Sequence, residues 1–124
     1  MEYLIDTDII IEHLAHTDAQ TESVLEKLMT HGVCFTTVVN ASELYFAASS
    51  EEEKRVIDAV MKALKVLGIN SRYSLNISEF FNKVATTRDA LICTAAKINK
   101  LPLVTNNMDK YKESGITIIN PKEL

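Results

Sequence analysis

The sequence contains little cysteine: only Cys34 and Cys93 occur in 124 residues, and they form no Cys-x-x-Cys pair. A disulfide scaffold is therefore excluded, and a chain of this length can bury a sufficient core without one. Both cysteines lie within apolar segments. We expect them to be buried free thiols in a protein of the reducing cytoplasm.

Glycine and proline are also scarce, with three and two residues, and no repeat, linker or low-complexity stretch interrupts the chain. The length predicts that residues 1–124 form a single domain. No apolar run approaches the roughly 20 residues that a membrane-spanning helix requires. The first residues include acids and lack a basic n-region, which argues against a signal peptide and favours a cytoplasmic protein.

A basic excess is missing as well, because the formal net charge is −4. Proteins that bind nucleic acid usually carry the opposite sign, so the balance argues weakly against such a partner. Acidic residues that hold a metal ion, however, add to the negative count without repelling phosphate once the ion is bound. Net charge alone therefore does not decide whether the partner is a nucleic acid.

The sequence does contain a regular alternation of short apolar runs and helical patterns. Apolar runs bounded by Gly, Pro, Asn or Thr are typical of central strands in a parallel sheet that is covered on both faces. The alternation predicts an α/β fold, a three-layer α/β/α sandwich with a mainly parallel central sheet. The predicted strands are residues 2–6, 33–37, 66–69, 102–105 and 116–119.

Helical patterns lie between the predicted strands. One follows Thr17-Asp18 and is expected to end at Gly32, where a C-terminal cap falls. Ser50-Glu-Glu-Glu53 has the spacing of a capping box and begins a second helix over residues 51–65. Two more helices are predicted over residues 75–85 and 88–99.

The helix at 51–65 carries an apolar stripe along one side. A domain of this size has limited core in which to bury every such stripe, so we predict a homodimer that uses it. The residues of the stripe are Val56, Ile57, Val60, Met61 and Leu64.

Three acidic residues, Asp6, Glu43 and Asp89, lie at junctions between apolar segments. Asp6 ends the first strand, whereas Glu43 and Asp89 lie in the first turns of helices, where negative charge is favoured. Ligands of open parallel sheets bind beyond the carboxyl ends of the strands, so all three side chains could lie at one edge. Their repulsion would then have to be offset by a divalent cation. Carboxylate ligands suit Mg²⁺ or Mn²⁺ and phosphate chemistry.

Each acid also has a purely structural interpretation. Asp6 could cap a helix that begins at Ile9. Glu43 follows Asn40 by three residues, which is the spacing of a capping box. Asp89 could simply stabilise a helix N-terminus. These interpretations do not require the three acids to meet, whereas a metal site does.

Four segments of the chain occur in an order and spacing that carry a family resemblance. They are Leu4-Ile-Asp6-Thr-Asp8-Ile-Ile-Ile, Thr37-Val-Val-Asn-Ala-Ser-Glu43-Leu, Asp89-Ala-Leu-Ile-Cys-Thr-Ala-Ala and Leu103-Val-Thr105-Asn106-Asn107. Each motif alone is weak, but together the four closely resemble the PIN-domain ribonucleases over essentially the whole chain. They look most like the VapC-type toxins of prokaryotic toxin–antitoxin pairs.

The resemblance implies an endoribonuclease that depends on Mg²⁺ or Mn²⁺ and cuts RNA with a metal-activated water. Asp6, Glu43 and Asp89 match the family's first three acidic positions and are the implied catalytic residues and metal ligands. The fourth catalytic position, often Asp in the family, is the neutral Asn107 here, and Asp109 is a candidate to compensate. Whether one or two ions bind stays open.

The resemblance also implies partners. From the residues themselves, Thr105 is predicted to hydrogen-bond a carboxylate or phosphate. Arg88 is a candidate to steer the RNA backbone, with a solvated arginine as the open alternative. A small antitoxin protein is expected, with an Arg or Lys that enters the acidic pocket through charge-assisted hydrogen bonds. The segment from Lys83 to Arg88 lacks the glycine-containing loop common in the family, and this departure is expected to alter substrate entry.

Other functions are weighed against this one. A phosphorelay receiver needs a phosphoacceptor Asp at the end of a central strand, but Asp58 lies within a predicted helix. A phosphatase could use Asp6 and Asp8, but the chain is short for a cap domain and lacks a later pair of aspartates. A housekeeping PIN nuclease, or a PIN fold that has lost catalysis and only binds RNA or protein, stays open because Asn107 is neutral.

Overall fold

The computed structural model describes residues 1–124 and contains one five-stranded sheet in the order β3-β2-β1-β4-β5. Every strand pair is parallel, so the predicted three-layer α/β/α fold is confirmed. All five predicted strands are present; the second has the predicted bounds, and the other four are shorter than expected. The strands are β1 (Glu2–Ile5), β2 (Val33–Thr37), β3 (Lys65–Leu67), β4 (Leu103–Val104) and β5 (Ile118–Ile119).

Seven α-helices and two short 3₁₀ helices connect and cover the strands. None of the helices is both long and apolar enough to cross a lipid bilayer. The α-helices are α1 (Thr7–Ala15), α2 (Val24–His31), α3 (Val38–Ala47), α4 (Glu51–Ala63), α5 (Ser71–Asn76), α6 (Thr87–Asn99) and α7 (Met108–Tyr111), and the 3₁₀ helices are Ile77–Phe80 and Pro121–Glu123.

Two apolar cores flank the sheet, because successive side chains of a strand point to opposite faces. Tyr3 and Ile5 of β1 belong to a core with residues of α1, α2 and α4, whereas Leu4 belongs to the core around α6. The predicted free thiols are confirmed as buried, Cys34 in the first core and Cys93 in the second. Burial raises the pKa of each thiol to about 11.

Two helices begin at residues other than those predicted. Helix α1 begins at Thr7, directly after Asp6, and not at Ile9. Helix α2 begins at Val24, well after Thr17-Asp18, because Ser23 supplies the cap. The Ser23 hydroxyl accepts a hydrogen bond from the Glu26 N–H at 3.1 Å, and the Glu26 carboxylate accepts one from the Ser23 N–H.

The predicted helix over residues 75–85 is wrong. Asn70 caps α5 at an earlier point, and the helix ends at Asn76 before a single 3₁₀ turn. Asn82 then adopts a left-handed conformation with φ of 62°, which a continuing right-handed helix does not accommodate. The following helix, predicted over residues 88–99, is confirmed within one residue as α6.

Helix α4 packs its apolar stripe mainly into the core. Ile57, Val60 and Leu64 are buried, and Met61 packs partly against them, whereas Val56 is 49% exposed. This packing contradicts the expectation that the stripe forms a dimer interface. Support for a homodimer therefore has to come from other exposed apolar side chains.

Candidate functional site

The carboxyl ends of the central strands form the edge at which the candidate site lies. Asp6 follows β1, Thr37 ends β2, and Thr105 follows β4. The first crossover takes the chain from β1 to β2 on one side, whereas β4 pairs with β1 on the other side. Asp6 therefore lies where the strand order reverses, and crevices at such points bind ligands in open parallel sheets.

Asp6 is 2% exposed and lies at the centre of this edge. Its Oδ1 accepts a hydrogen bond from the backbone N–H of Thr7 at 2.8 Å, so it caps α1, as the structural interpretation expected. The same oxygen lies 2.8 Å from Nη2 of Arg88. Its Oδ2 accepts hydrogen bonds from the hydroxyls of Thr105 and Tyr111, each at 3.0 Å. Capping is thus only part of what Asp6 does.

Arg88 brings the three predicted acids together. Its Nη2 lies 2.8 Å from Asp6 Oδ1 and 2.9 Å from Glu43 Oε1, and its Nη1 lies 3.2 Å from Asp89 Oδ1. Burial opposes the charge of the guanidinium, but its hydrogen bond to Glu43 and the charge of Asp6 outweigh burial and raise the pKa of Arg88. The repulsion expected among the carboxylates is therefore offset here by an internal cation.

Glu43 reaches this centre because it is not needed as a helix cap. Thr37 caps α3: its hydroxyl accepts from the Asn40 N–H at 3.3 Å, and Asn40 Oδ1 accepts from the Thr37 N–H at 3.1 Å. The expected capping box of Asn40 with Glu43 is therefore wrong: the box that forms is one helical turn earlier and pairs Thr37 with Asn40. Asn40 also donates through Nδ2 to Asp6 Oδ1 at 3.3 Å and to the Thr7 hydroxyl at 2.8 Å.

The carboxylate of Glu43 is the most exposed of the three, with 41% of its side chain open to solvent. It accepts a hydrogen bond from the Thr7 hydroxyl at 2.7 Å and from Nε of Arg88 at 3.2 Å on each oxygen. Burial opposes ionisation, but the hydrogen bonds from Arg88 and Thr7 outweigh it and lower the pKa of Glu43. Glu43 is therefore an ionised group on the solvent side of the site.

Asp89 and Tyr111 close the buried side of the centre. Asp89 is 2% exposed in the first turn of α6, and Thr86 caps that helix by accepting from the Asp89 N–H. The Tyr111 hydroxyl lies 3.4 Å from Asp89 Oδ1 and accepts a hydrogen bond from Arg88 Nη1 at 2.6 Å. Burial, together with the charge of Asp6, raises the pKa of Tyr111. Its phenol therefore keeps its proton and can donate it to a carboxylate.

Asn107 lies beside the centre and contacts Asp8, an acid that was considered above only as a phosphatase residue. Asp8 Oδ2 accepts hydrogen bonds from Asn107 Nδ2 at 3.1 Å, from the Asn106 N–H at 2.8 Å and from the Thr105 hydroxyl at 3.3 Å. The other oxygen of Asp8 is buried without a partner. Burial raises the pKa of Asp8. Asp109 is exposed in the first turn of α7.

The chemistry of this donor set fits a divalent cation, because three hard carboxylates converge from three separate elements. Their present spacing suits the planar guanidinium of Arg88, and no three acidic, histidine or cysteine side chains are grouped closely enough to share one metal ion. Asp6, Glu43 and Asp89 would hold an ion only after Arg88 has moved away from the carboxylate oxygens that it now contacts.

Sequence reasoning missed several residues that build this site. Thr7 and Asn40 lie within the segments quoted around Asp6 and Glu43, and their spacing relative to the helix starts was the available signal. Tyr111 lies 105 residues from Asp6 along the chain and has no motif around it. No local pattern could have identified it.

Comparison with known proteins gives one family and one fold. The PIN domain family matches residues 3–113 of the chain. No curated protein matches it significantly. The chain is similar to the structure of DNA-bound VapBC from Salmonella typhimurium, with a TM-score of 0.81, 19% identity and 98% of each chain covered.

Two further solved structures have the same fold. VapBC2 from Rickettsia felis, bound to a promoter DNA fragment, has a TM-score of 0.80 and 18% identity over 97% of this chain and 98% of that chain. A toxin–antitoxin complex from Klebsiella pneumoniae has a TM-score of 0.76 and 15% identity over 96% and 97%. At these identities the likeness is one of fold.

Proposed function

The chain belongs to the PIN domain family, and we propose that it is a divalent-metal-dependent endoribonuclease, the toxin of a toxin–antitoxin pair. The observation that carries this proposal is the meeting of Asp6, Glu43 and Asp89 around one cationic group at the carboxyl edge of the sheet. These are the three acids that the sequence singled out. Metal-dependent phosphodiester hydrolysis uses such a cluster of carboxylates to hold its metal ions.

Asp6, Glu43 and Asp89 would hold Mg²⁺ or Mn²⁺. When bound, the ion would polarise the scissile phosphate and lower the pKa of a water molecule. Glu43 is suited to orient that water and accept its proton, because it is ionised and faces solvent. Thr105 and Tyr111 fix the orientation of Asp6 through its Oδ2. We expect products with 5′-phosphate and 3′-hydroxyl ends.

The proposed substrate is RNA. A surface cavity of about 490 Å³ adjoins the site next to Asn107 and is lined mainly by amide and lysine side chains, together with Met108 and Asp109. Such groups bind phosphate oxygens and base edges. The lining includes Asn106, Asn107, Asn120, Lys110 and Lys122. Two lysines against one aspartate give this cavity a small local excess of positive charge, although the chain as a whole carries −4. We propose that the activity is cytoplasmic, where RNA is available.

The proposed inhibitor is a small antitoxin protein. An apolar groove of about 850 Å³ lies between α1, α3 and α4 and opens beside Thr7 and Glu43. Glu52 and Glu53 line its other end. An amphipathic segment with an Arg or Lys suits such a groove, and its cation would meet Glu43 first. Because Arg88 already contacts all three acids, the antitoxin's cation would have to share or displace that contact.

We also propose a homodimer. Since the α4 stripe is mostly core, the support comes from exposed apolar side chains elsewhere. Phe46 of α3 is 94% exposed, Leu75 of α5 is 79% exposed and Phe81 is 77% exposed. Phe46 adjoins the exposed Val38 at a shallow apolar pocket, and contiguous apolar patches often mark interaction surfaces.

Cleavage of RNA by the purified protein tests the nuclease. Single-stranded and hairpin RNA should be cut with Mg²⁺ or Mn²⁺ and left intact with EDTA. Asp6→Asn, Glu43→Gln and Asp89→Asn should each lower the rate by orders of magnitude. Glu113→Gln, at an exposed position, should leave the rate unchanged.

The outcomes separate the remaining alternatives. Binding of RNA without cleavage under any metal condition would indicate a PIN fold that acts only as a binding module, which the neutral Asn107 makes a specific possibility. Cleavage by a protein that is harmless to its host and co-purifies with no partner would indicate a housekeeping nuclease.

A further inference from the structure

Arg88 uses all three guanidinium nitrogens on the candidate site. Nε contacts both oxygens of Glu43, Nη2 contacts Asp6 and Glu43, and Nη1 contacts Asp89. Nη2 also donates to the Thr7 hydroxyl at 3.1 Å. No other lysine or arginine of the chain forms an ion pair with these acids.

We propose that Arg88 and the divalent cation compete for the same three carboxylates, and that the displaced guanidinium then binds a phosphate of the RNA substrate. This inference rests on the proposed nuclease function and adds a positioning residue to it. Arg88 would hold the metal-free site in order and would turn to the substrate once the metal has replaced it.

The competition follows from which oxygens are in use. Asp6 Oδ1 and Asp89 Oδ1 face Arg88, whereas Asp6 Oδ2 is already held by Thr105 and Tyr111. The side chains of Asp6 and Asp89 are only 2% and 3% exposed. An ion held jointly by Asp6, Glu43 and Asp89 would occupy the space between these carboxylates that the guanidinium of Arg88 now fills.

The charges favour such an exchange. Three carboxylates and one guanidinium leave a net charge of −2, which still attracts a divalent cation. The Arg88 side chain is 24% exposed, so solvent borders it and it can leave by rotation of its own side-chain bonds. Its backbone in the first turn of α6 does not have to move.

A released Arg88 is well placed to bind phosphate. Its planar guanidinium can donate two parallel hydrogen bonds to phosphate oxygens. It also lies in the first turn of the 13-residue helix α6, whose N-terminus favours an anion nearby. Loss of Arg88 should therefore affect metal and RNA in opposite directions.

Calorimetric titration with MnCl₂, without RNA, tests the competition. Arg88→Ala should bind Mn²⁺ about tenfold or more tightly than the wild-type chain, while its kcat/KM for RNA should fall at least tenfold. Arg88→Lys keeps the charge but not the fork of donors, so its Mn²⁺ affinity should stay nearer to wild type. Arg72→Ala, at an exposed position on α5, should change neither quantity.

Nuclear magnetic resonance of the wild-type protein gives a second readout that does not depend on the folding of Arg88→Ala. The chain has three arginines, Arg55, Arg72 and Arg88. On titration with MgCl₂ the Nε–H resonance of Arg88, assigned by its loss in Arg88→Lys, should shift and exchange faster with water. The resonances of Arg55 and Arg72 should not move.

The possible failures are distinguishable. Equal or weaker Mn²⁺ binding by a folded Arg88→Ala variant, or an unmoved Arg88 resonance during Mg²⁺ binding, would overturn the competition. Unchanged RNA cleavage by Arg88→Ala would overturn the phosphate role. If wild type and Arg88→Ala both fail to bind Mn²⁺ and to cut RNA, the nuclease function itself falls.

Discussion

Asp6 illustrates how one buried carboxylate serves both fold and site. It is 2% exposed and accepts hydrogen bonds from five residues on separate segments. The donors are Thr7, Asn40, Arg88, Thr105 and Tyr111. An ionised aspartate accepts hydrogen bonds at both oxygens, and here three donors contact Oδ1 and two contact Oδ2. The negative charge of Asp6 therefore stabilises the metal-free protein, and the same charge would bind the metal ion.

We predict that Asp6→Asn lowers the free energy of unfolding of the metal-free protein by about 3 kcal/mol. The amide would turn an N–H₂ group toward existing donors and leave Arg88 with one acid fewer. Glu43→Gln should cost clearly less, because 41% of the Glu43 side chain is exposed. Urea denaturation in EDTA measures both. A gain in stability for Asp6→Asn would mean that repulsion among the acids exceeds the attraction of Arg88.

The two thiols give a prediction that follows from their pKa. Burial raises the pKa of Cys34 and Cys93 to about 11, so at pH 8 roughly one thiol in a thousand is ionised, and the thiolate is the reactive form. A thiol-reactive disulfide reagent should modify neither cysteine of the native protein at pH 8, and reactivity should rise as pH approaches 11. In guanidinium chloride both should react at once. Rapid modification of either one in the native state would contradict its burial.

At the scale of elements, the junction between α2 and β2 depends on close packing. Gly32 ends α2 with φ of 175°, an extended conformation that any residue adopts, so backbone freedom is not the reason for glycine. A Cβ at this position would lie 2.0 Å from the carbonyl oxygen of Met1. That same carbonyl accepts a hydrogen bond from the Val33 N–H at 2.9 Å. A larger residue must therefore disturb the start of the β1–β2 pairing.

We predict that Gly32→Ala destabilises the protein by roughly 1–3 kcal/mol, the usual cost of forcing an atom into occupied space. Gly68→Ala is the matched control, because a Cβ there meets nothing within 4 Å, and it should change stability by less than about 0.5 kcal/mol. Thermal melts of the two variants compare them directly. Equal melting temperatures would mean that Met1 moves away from the added Cβ at no cost in stability.

At the scale of the whole molecule, the two cores leave a few large apolar side chains outside. Phe46 at 94% exposure is the most open of them, and it lies on α3 near the end of the helix that carries Glu43. We predict a homodimer by light scattering at micromolar concentration. Phe46→Asp should shift the protein toward monomer, whereas Val56→Asp, on the mostly buried α4 stripe, should not. A monomeric wild-type protein would count against the dimer.

The sequence by itself determined the order of the elements and the edge at which the acids lie. Apolar runs located all five strands because a strand buried on both faces has to be apolar throughout. The motifs around Asp6, Glu43 and Asp89 predicted a meeting of three carboxylates, and the structure brings all three to Arg88. The prediction of a helix over residues 75–85 was wrong because Asn82 takes a left-handed conformation, which the spacing of apolar residues does not reveal.

Only the tertiary structure decided what neutralises the acids and what supports them. Arg88 lies 82 residues from Asp6 along the chain, and its contacts with Asp6 and Glu43 exist only because α6 begins beside the ends of β1 and β2. The hydrogen bond from Tyr111 to Asp6 and that from Asn107 to Asp8 likewise join residues that are far apart in the sequence. A local pattern reports the periodicity of one element, whereas these contacts depend on how separate elements are placed against one another.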